Sequence, residues 1–369
     1  MADVIADIDA TRRTPDAAAK LVAMLSEQSS VFAGRGTNET ERLRGYVLAS
    51  FETAGLPPEA VPFVLEELET GQNAYTVAAA ARALRVAPDL PDDAPALLVA
   101  AIERLRGSDD VVSFERLEPD SDRGETVTAL TELARTLALL GPRARQACAQ
   151  LEALVGSDGE MFSPVVRAEL VQALEAVAGA DDSPPSCCSA HDATEATARS
   201  VARPARSDLR GLALEDQDGR RVTFDAAFAG RPSAIAFFYT RCMNPQKCSL
   251  TVTRLARLAG RLVTAKLDAN VAGITYDPEF DRPPRLKAYG LDRGMVFSTR
   301  SALLRTVGPF DPLRDAFDLG VGFGPVTVNR HRLDLVVLDA ALRVTETFER
   351  RLWHEQAVLD ALRATTTSA

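Results

Sequence analysis

Residues 233–251 read SAIAFFYTRCMNPQKCSLT, an apolar run that leads directly into a loop with two cysteines. The run Ser233–Tyr239 shows no alternation of polar and apolar residues, which is typical of a strand buried on both faces. A helical pattern follows from Ser249, so Cys242 and Cys248 lie between a central strand and the start of a helix. This order predicts a sheet flanked by helices, with both thiols at one end of the central strand.

Strand and helix patterns alternate through the rest of the carboxy-terminal half. An Asp218-Gly219 pair predicts a hairpin ahead of the buried strand, because glycine accepts the positive φ of a tight turn. Further strands are predicted at Leu267–Thr275, Met295–Ser298, Arg332–Leu338 and Val344–Phe348. Residues 208–369 are therefore predicted to form an α/β domain with a thioredoxin-like fold.

The amino-terminal half shows a helical pattern instead, with apolar residues three and four positions apart and breaks at Pro and Gly. A helix, a polar turn and an Ala-rich second helix recur, which resembles a HEAT-like or armadillo-like repeat; a plain helical bundle is the alternative. We predict an all-α domain over residues 1–180 that serves as a scaffold or a protein-binding surface. Its Cys148 follows the apolar pattern and is predicted to be a buried free thiol.

The composition changes between Asp181 and Ser207, where paired prolines and small polar residues show no sustained periodicity. We interpret residues 181–207 as a flexible linker. Its stretch SCCSAHD holds Cys187, Cys188 and His191. Our hypothesis is a secondary metal site that carries a soft metal ion; an uncommitted or regulatory thiol pair is the alternative.

Composition narrows the classes of function. Hydrophobic residues at 46% and charged residues at 25% are typical of a soluble globular protein. The net charge of -10, without a basic stripe, argues against nucleic acid as a partner. Phosphate-loop, catalytic-serine and zinc-protease motifs are absent, so hydrolase and kinase functions have no support. The first residues are acidic and no apolar run of membrane-span length follows, so a cytoplasmic location is expected.

Cys242 and Cys248 occupy a position that favours thiolates. The positive end of the following helix, together with Arg241 and Lys247, stabilises the charged form. Soft thiolates bind copper(I), zinc or iron–sulfur clusters, and two sulfurs with one imidazole suit copper(I). His331 is the candidate third ligand, because the loop before its predicted strand lies beside the cysteine loop on a thioredoxin-like sheet.

Other interpretations of the same residues stay open at this point. The cysteines could instead cycle in a thiol-disulfide oxidoreductase, with His331 only tuning their pKa. A thioredoxin motif has two intervening residues where this loop has five, and a peroxiredoxin pattern is absent because Tyr239 stands three residues before Cys242. The protein could also be an interaction scaffold with an inactive thioredoxin-like module. Asp277 and Asp281 are predicted to be turn and capping residues.

Three stretches of the carboxy-terminal half resemble the SCO/SenC family in order and separation. They read FFYTRCMNPQKCSLTVTRL, AGITYDPEFDRPPRLKAYG and NRHRLDLVVLDAALRV. The resemblance implies a thioredoxin-like domain that binds copper through Cys242, Cys248 and His331. It also implies delivery of copper to, or thiol reduction of, a copper-site partner such as cytochrome oxidase.

Two features depart from the family pattern. The usual family loop has three residues between its cysteines, whereas Cys242 and Cys248 are separated by five. Family members are normally tethered outside the cytoplasmic membrane by an amino-terminal helix, and a helical domain stands in that place here. These departures weaken the implied role in oxidase assembly and do not affect the chemistry of the site.

Overall fold

The computed structural model describes residues 2–114, 127–157, 161–179, 199–200 and 208–367. The chain divides into two compact units, Met1–Ala196 and Thr197–Ala369, and each has its own hydrophobic core. Cys187, Cys188 and His191 lie outside the described residues, so the secondary metal site stays a hypothesis. None of the described helices is long and apolar enough to cross a membrane.

The described part of the first unit is all-helical, as predicted. Its helices are α1 (Ala2–Thr11), α2 (Ala17–Leu25), α3 (Thr37–Ala54), α4 (Val61–Thr70), α5 (Ala74–Leu84), α6 (Ala94–Leu105), α7 (Ala129–Leu140), α8 (Cys148–Ser157) and α9 (Pro164–Ala178). The helical pattern did not reveal α1, although Ile5 and Ile8 of this helix pack into the core. Cys148 is buried and free, in agreement with its prediction.

These helices stack in two rows. In one row α3, α5, α7 and α9 contact each other in succession, and in the other α4, α6 and α8 do so. The rows meet where α4 packs on α5, α6 on α7 and α8 on α9. Row-on-row stacking is how an α-solenoid is built, so the repeat-like interpretation fits this unit better than a plain bundle.

The Ala-rich sequence of α5 explains its central place in the stack. Ala78, Ala79, Ala80 and Ala81 are all fully buried. Their small side chains allow α3 and α7 to approach closely on either side. The helix begins at Asn73, whose side chain accepts a hydrogen bond from the backbone N–H of Thr76.

The second unit is a mixed sheet with helices. Its strands are β1 (Arg199–Ser200), β2 (Ala213–Asp216), β3 (Arg221–Thr223), β4 (Ser233–Phe238), β5 (Asn270–Thr275), β6 (Ser301–Thr306), β7 (Val321–Phe323), β8 (Val328–His331), β9 (Asp334–Leu338) and β10 (Val344–Glu349). Its helices are α10 (Phe224–Phe228), α11 (Leu250–Thr264), α12 (Pro283–Leu291), α13 (Asp311–Phe317) and α14 (Glu355–Thr367).

The main sheet has the strand order β1-β10-β9-β4-β5-β6-β2-β3, and β7 and β8 form a separate hairpin. The strand β4 is central, with every residue buried, parallel to β5 and antiparallel to β9. The predicted hairpin is β2 and β3, where Gly219 adopts φ +80°. The thioredoxin-like α/β fold predicted from the sequence is confirmed for this unit.

Close packing behind β4 leaves little room on the neighbouring strand. A Cβ atom at Gly273, in β5, would lie 2.7 Å from Leu303 Cδ2 and 3.0 Å from Phe238 Cε1. Contacts this short are tighter than nearly all real Cβ contacts, so a side chain at this position would have to displace Leu303 or Phe238. The absence of a side chain lets the ring of Phe238 fill the space instead.

Two sequence predictions in this unit were wrong in position. The predicted strand Met295–Ser298 is a loop in which Val296 is exposed, and the strand is β6 (Ser301–Thr306) instead. The local apolar pattern misled because Met295 is buried by tertiary packing rather than by strand pairing. His331 ends β8, one strand earlier than predicted, because the chain turns between residues 331 and 334 before β9 begins.

Candidate metal centre

The structure brings Cys242, Cys248 and His331 together at the carboxyl end of β4. Nε2 of His331 lies 3.4 Å from Sγ of Cys242 and 3.5 Å from Sγ of Cys248. The two sulfurs and a ring nitrogen all lie within 4.8 Å of one another, and neither thiol is in a disulfide. His331, more than 80 positions from either cysteine in the chain, thus brings its donor atom to the two sulfurs.

The ring of His331 is oriented by its other nitrogen. Nδ1 lies 2.9 Å from the carbonyl oxygen of Arg332, which can only accept, so Nδ1–H donates to it. Nε2 is therefore the nitrogen that faces both sulfurs. The rings of Tyr239 and Tyr276 pack against the imidazole, with centroids 5.4 Å and 5.5 Å away. A ring fixed on both sides is preorganised as a ligand.

The two thiols differ in their proton affinity. A hydrogen bond from the Cys248 thiol, helped by His331, lowers the pKa of Cys242 to about 3. Burial, followed by the neighbouring Cys242 sulfur, raises the pKa of Cys248 well above its usual value. The two thiols therefore titrate as a pair that loses its first proton readily and its second with difficulty. A bound cation would offset the cost of ionising both.

The start of the cysteine loop is held by Asp281, which the sequence predicts to be a turn or capping residue. The fully buried side chain of Asp281 accepts hydrogen bonds from the backbone N–H of Thr240 at 3.0 Å and from Oγ1 of Thr275 at 2.5 Å. It also accepts one from the hydroxyl of Thr240. Asp281 therefore fixes the first residue after Tyr239 to the end of β5.

The loop closes on a single π-helical turn, Pro245–Ser249, that contains Cys248 and leads into α11. The side chain of Asn244 caps this turn by accepting from the backbone N–H of Gln246 at 2.9 Å. Such turns are frequent at functional sites, where they reorient one side chain within a helix. Here the turn places Cys248 wholly inside the unit, where its Sγ also accepts from the backbone N–H of Tyr239 at 3.5 Å.

Two cations flank the sulfurs, as the sequence predicted. The buried ammonium of Lys247 donates to the carbonyl oxygen of His331 at 2.9 Å, which ties the cysteine loop to β8. Arg241 pairs with Asp277 at 2.5 Å and stacks over Phe280 at 4.0 Å. The charge of Lys247 favours the anionic form of Cys248, whereas the charge of Arg241 is paired with Asp277. Lys247 also links two of the three donor segments directly.

A second layer of residues, which sequence analysis missed, supports His331 from behind. Arg332 pairs with Asp334 at 2.6 Å, and the hydroxyl of Tyr276 donates to the same carboxylate at 3.3 Å. Burial raises the pKa of Asp334, and the charge of Arg332 opposes that rise. Tyr276 and Asp334 are 58 positions apart, so local pattern gives no signal for their contact.

Only one side of the cluster is open to solvent. Cys248 is fully buried and His331 is 5% exposed, whereas Cys242 is partly exposed. A ligand or a metal ion therefore reaches the cluster past Cys242. The donor separations suit a shared ion, because bonds to sulfur and to imidazole nitrogen are about 2.0–2.3 Å long.

Comparison with known protein families agrees with the resemblance found in the sequence of the carboxy-terminal unit. The SCO1/SenC family model matches residues 210–299, a segment that includes both cysteines and ends before His331. The resemblance predicted from the cysteine loop is thereby confirmed for the carboxy-terminal unit. No curated protein matches the chain.

Several solved structures are similar to part of the chain. A SCO1/SenC family lipoprotein from Bacillus anthracis str. Ames is 20% identical over 45% of this chain and 99% of its own, with a TM-score of 0.39. ScoI of Bradyrhizobium japonicum, with copper bound, is 23% identical over 44% of this chain and 99% of its own, with a TM-score of 0.33. BsSco, described as a member of the Sco family of cytochrome c oxidase assembly proteins with a disulfide switch, is 16% identical over 45% and 98%, with a TM-score of 0.38.

Proposed function

We propose that this protein binds one copper(I) ion through Cys242, Cys248 and His331 and delivers it to a protein that builds a copper site. The observation that carries the proposal is the position of His331 Nε2, 3.4 Å and 3.5 Å from the two sulfurs. Its other nitrogen is held by the Arg332 carbonyl, so this atom is the one available to a metal.

The number and type of donors favour copper(I) over zinc. Structural zinc sites usually have four ligands, and the cluster of potential ligands found among the described residues has three. Two soft sulfurs and one imidazole suit a three-coordinate copper(I) ion. With both cysteines ionised the site would carry one net negative charge, which the buried ammonium of Lys247 offsets.

The solvent exposure of one donor of the metal centre supports the delivery of copper. The cargo ion would enter and leave past Cys242, the one partly exposed donor, while Cys248 and His331 stay inside. The acceptor that we propose is a copper-site protein of the cytochrome oxidase kind, in line with the description of BsSco. The helical unit, whose residues include about twice as many acidic as basic side chains, is proposed to bind a protein partner.

The experiment is a copper(I) titration of the intact protein under reducing conditions, followed by desalting and metal analysis. We expect about one copper per chain for the wild type and for His354→Ala, which removes a histidine outside the cluster. Cys242→Ser, Cys248→Ser and His331→Ala should each lose most of the retained copper. Retention of a full equivalent by His331→Ala would show that the imidazole is not a ligand.

A second function is favoured by the two free cysteines, whose sulfurs lie within 4.8 Å of each other. A thiolate beside a buried thiol is suited to thiol-disulfide exchange, with Cys242 as the nucleophile and Cys248 as the resolving thiol. The two functions differ in whether they require His331. An oxidoreductase should work without metal and tolerate His331→Ala with a modest loss of rate, whereas a copper carrier should lose its copper.

A further inference from the structure

Met243 follows Cys242 directly, and it stands out for its exposure. Its side chain is 93% exposed, the highest value among the large hydrophobic side chains of the described residues. Met295, also in the carboxy-terminal unit, is 2% exposed and belongs to the core. Met243 therefore contributes nothing to the packing of the unit, and its place in the cysteine loop calls for another explanation.

The backbone around Met243 is held in place, so its position is a property of the fold. Asp281 fixes Thr240 on one side, and the cap that Asn244 makes on Gln246 fixes the other. The thiol of Cys242 also lies 3.7 Å from the carbonyl oxygen of Asn244. Met243 is thus carried outward on an ordered loop at the one open side of the cluster.

We propose that Met243 is an exchange ligand, a thioether that receives copper(I) from the buried donors while the ion passes to or from an acceptor. This inference rests on the proposed function. Thioether sulfur is a soft donor that selects copper(I), and it is uncharged, so it holds the ion less firmly than a thiolate. Consecutive Cα atoms are about 3.8 Å apart and methionine has three rotatable side-chain bonds, so its sulfur can swing toward the ion held by Cys242.

The exchange step balances without a proton or an electron. The bond from copper to Nε2 of His331 breaks as a bond from copper to Sδ of Met243 forms. Both donors are neutral, both cysteine sulfurs stay bound, and copper remains copper(I). An acceptor thiolate approaching past Cys242 then meets an ion already displaced toward the surface, and His331 Nε2 is left facing the empty position.

The test measures the rate and the equilibrium of copper transfer separately. Protein loaded with one equivalent of copper(I) is mixed, without oxygen, with an excess of a chromogenic copper(I) chelator, and transfer is followed by stopped flow. Met243→Leu keeps the size and apolarity of the side chain and removes the sulfur. We expect it to slow transfer by about tenfold, about 1.4 kcal/mol in the barrier, and to leave the copper(I) affinity nearly unchanged.

Two controls complete the design. Val326→Ala removes an apolar side chain that is 80% exposed on the hairpin whose backbone contacts Arg241, and it should transfer copper at the wild-type rate. Selenomethionine in place of methionine keeps a soft donor at position 243, so the labelled wild type should transfer copper fast and the labelled Met243→Leu should stay slow.

Wild-type transfer by Met243→Leu would overturn the inference. An equal loss of rate and affinity would also overturn it, since Met243 would then be a resident ligand. Failure of the wild type to retain copper(I) would instead defeat the proposed function, and this inference with it. The retention experiment and the transfer experiment thus give distinguishable failures.

Discussion

Replacement of Asp281 tests how the cysteine loop is held. This carboxylate is fully buried and accepts three hydrogen bonds, two from Thr240 and one from Thr275. In Asp281→Ala all three donors lose their acceptor, and the backbone N–H of Thr240 cannot rotate to another. Hydrogen bonds to a charged group contribute about 1.5–3 kcal/mol each, offset by the cost of a buried charge, so we expect a net loss of about 3 kcal/mol.

Asp281→Asn is the matched control. An amide oxygen in the place of Oδ2 accepts from the backbone of Thr240 and from the hydroxyl of Thr275. The amide nitrogen then donates to the hydroxyl oxygen of Thr240, whose own hydrogen turns away. Burial raises the pKa of Asp281, so the neutral amide removes an unfavourable charge as well. We expect this variant to lose about 1 kcal/mol.

Trp353 provides the assay. It is the single tryptophan of the chain and is buried in the carboxy-terminal core, so its fluorescence reports the unfolding of that unit. A loss of about 3 kcal/mol should lower the thermal midpoint of the unit by about 6–12 °C in Asp281→Ala. Its copper(I) affinity should fall too, because the loop that carries Cys242 is released. Equal midpoints for the alanine and asparagine variants would refute the reasoning.

Three further predictions concern the thiolate of Cys242, the hydrogen bond from Lys247 to the His331 carbonyl, and the packing around Gly273. The depressed pKa of Cys242, about 3, implies stabilisation that is present above the ordinary value of 9.0 and lost as the pH falls through about 3. Metal-free protein at about pH 6 should therefore show one thiolate by ultraviolet absorbance, absent in Cys242→Ser; titration near 9.0 would contradict this. Lys247→Met loses the charged hydrogen bond to the His331 carbonyl and should weaken copper(I) binding about tenfold, as measured by chelator competition. Unchanged affinity would show that this hydrogen bond does not support the site. Gly273→Ala should cost about 1–3 kcal/mol by overpacking, seen as an earlier tryptophan transition; an unshifted midpoint would contradict the packing account.

Local pattern was sufficient to predict the elements next to the site. The continuous apolar run of β4 is buried at every position, and the helical pattern after Cys248 is α11. The placement of His331 beside the cysteines needed one further assumption, the thioredoxin-like order of strands. That assumption was right about proximity even though His331 ends β8 and does not begin β9.

The contacts that hold the site could not be predicted in this way. Asp281 reaches Thr240 across 41 positions, and Lys247 reaches the His331 carbonyl across 84. Such pairs form only when β4, β5 and β8 come together, and nothing in the local composition marks one carboxylate or one lysine as the partner. The aspartate was expected to act in a turn, and its observed role is to fix the loop.

Three expectations from the sequence stay predictions. The cytoplasmic location, the identity of the copper acceptor and the role of Cys187, Cys188 and His191 belong to this group. Each depends on a partner, a compartment or a segment outside the described residues.

X-ray absorption at the copper edge tests the central claim most directly. Protein loaded with one equivalent of copper(I) should give a first shell of two sulfur atoms and one imidazole nitrogen, and His331→Ala should lose the nitrogen. An all-sulfur shell in the wild type, or an imidazole signal that survives in His331→Ala, would contradict the site built from Cys242, Cys248 and His331.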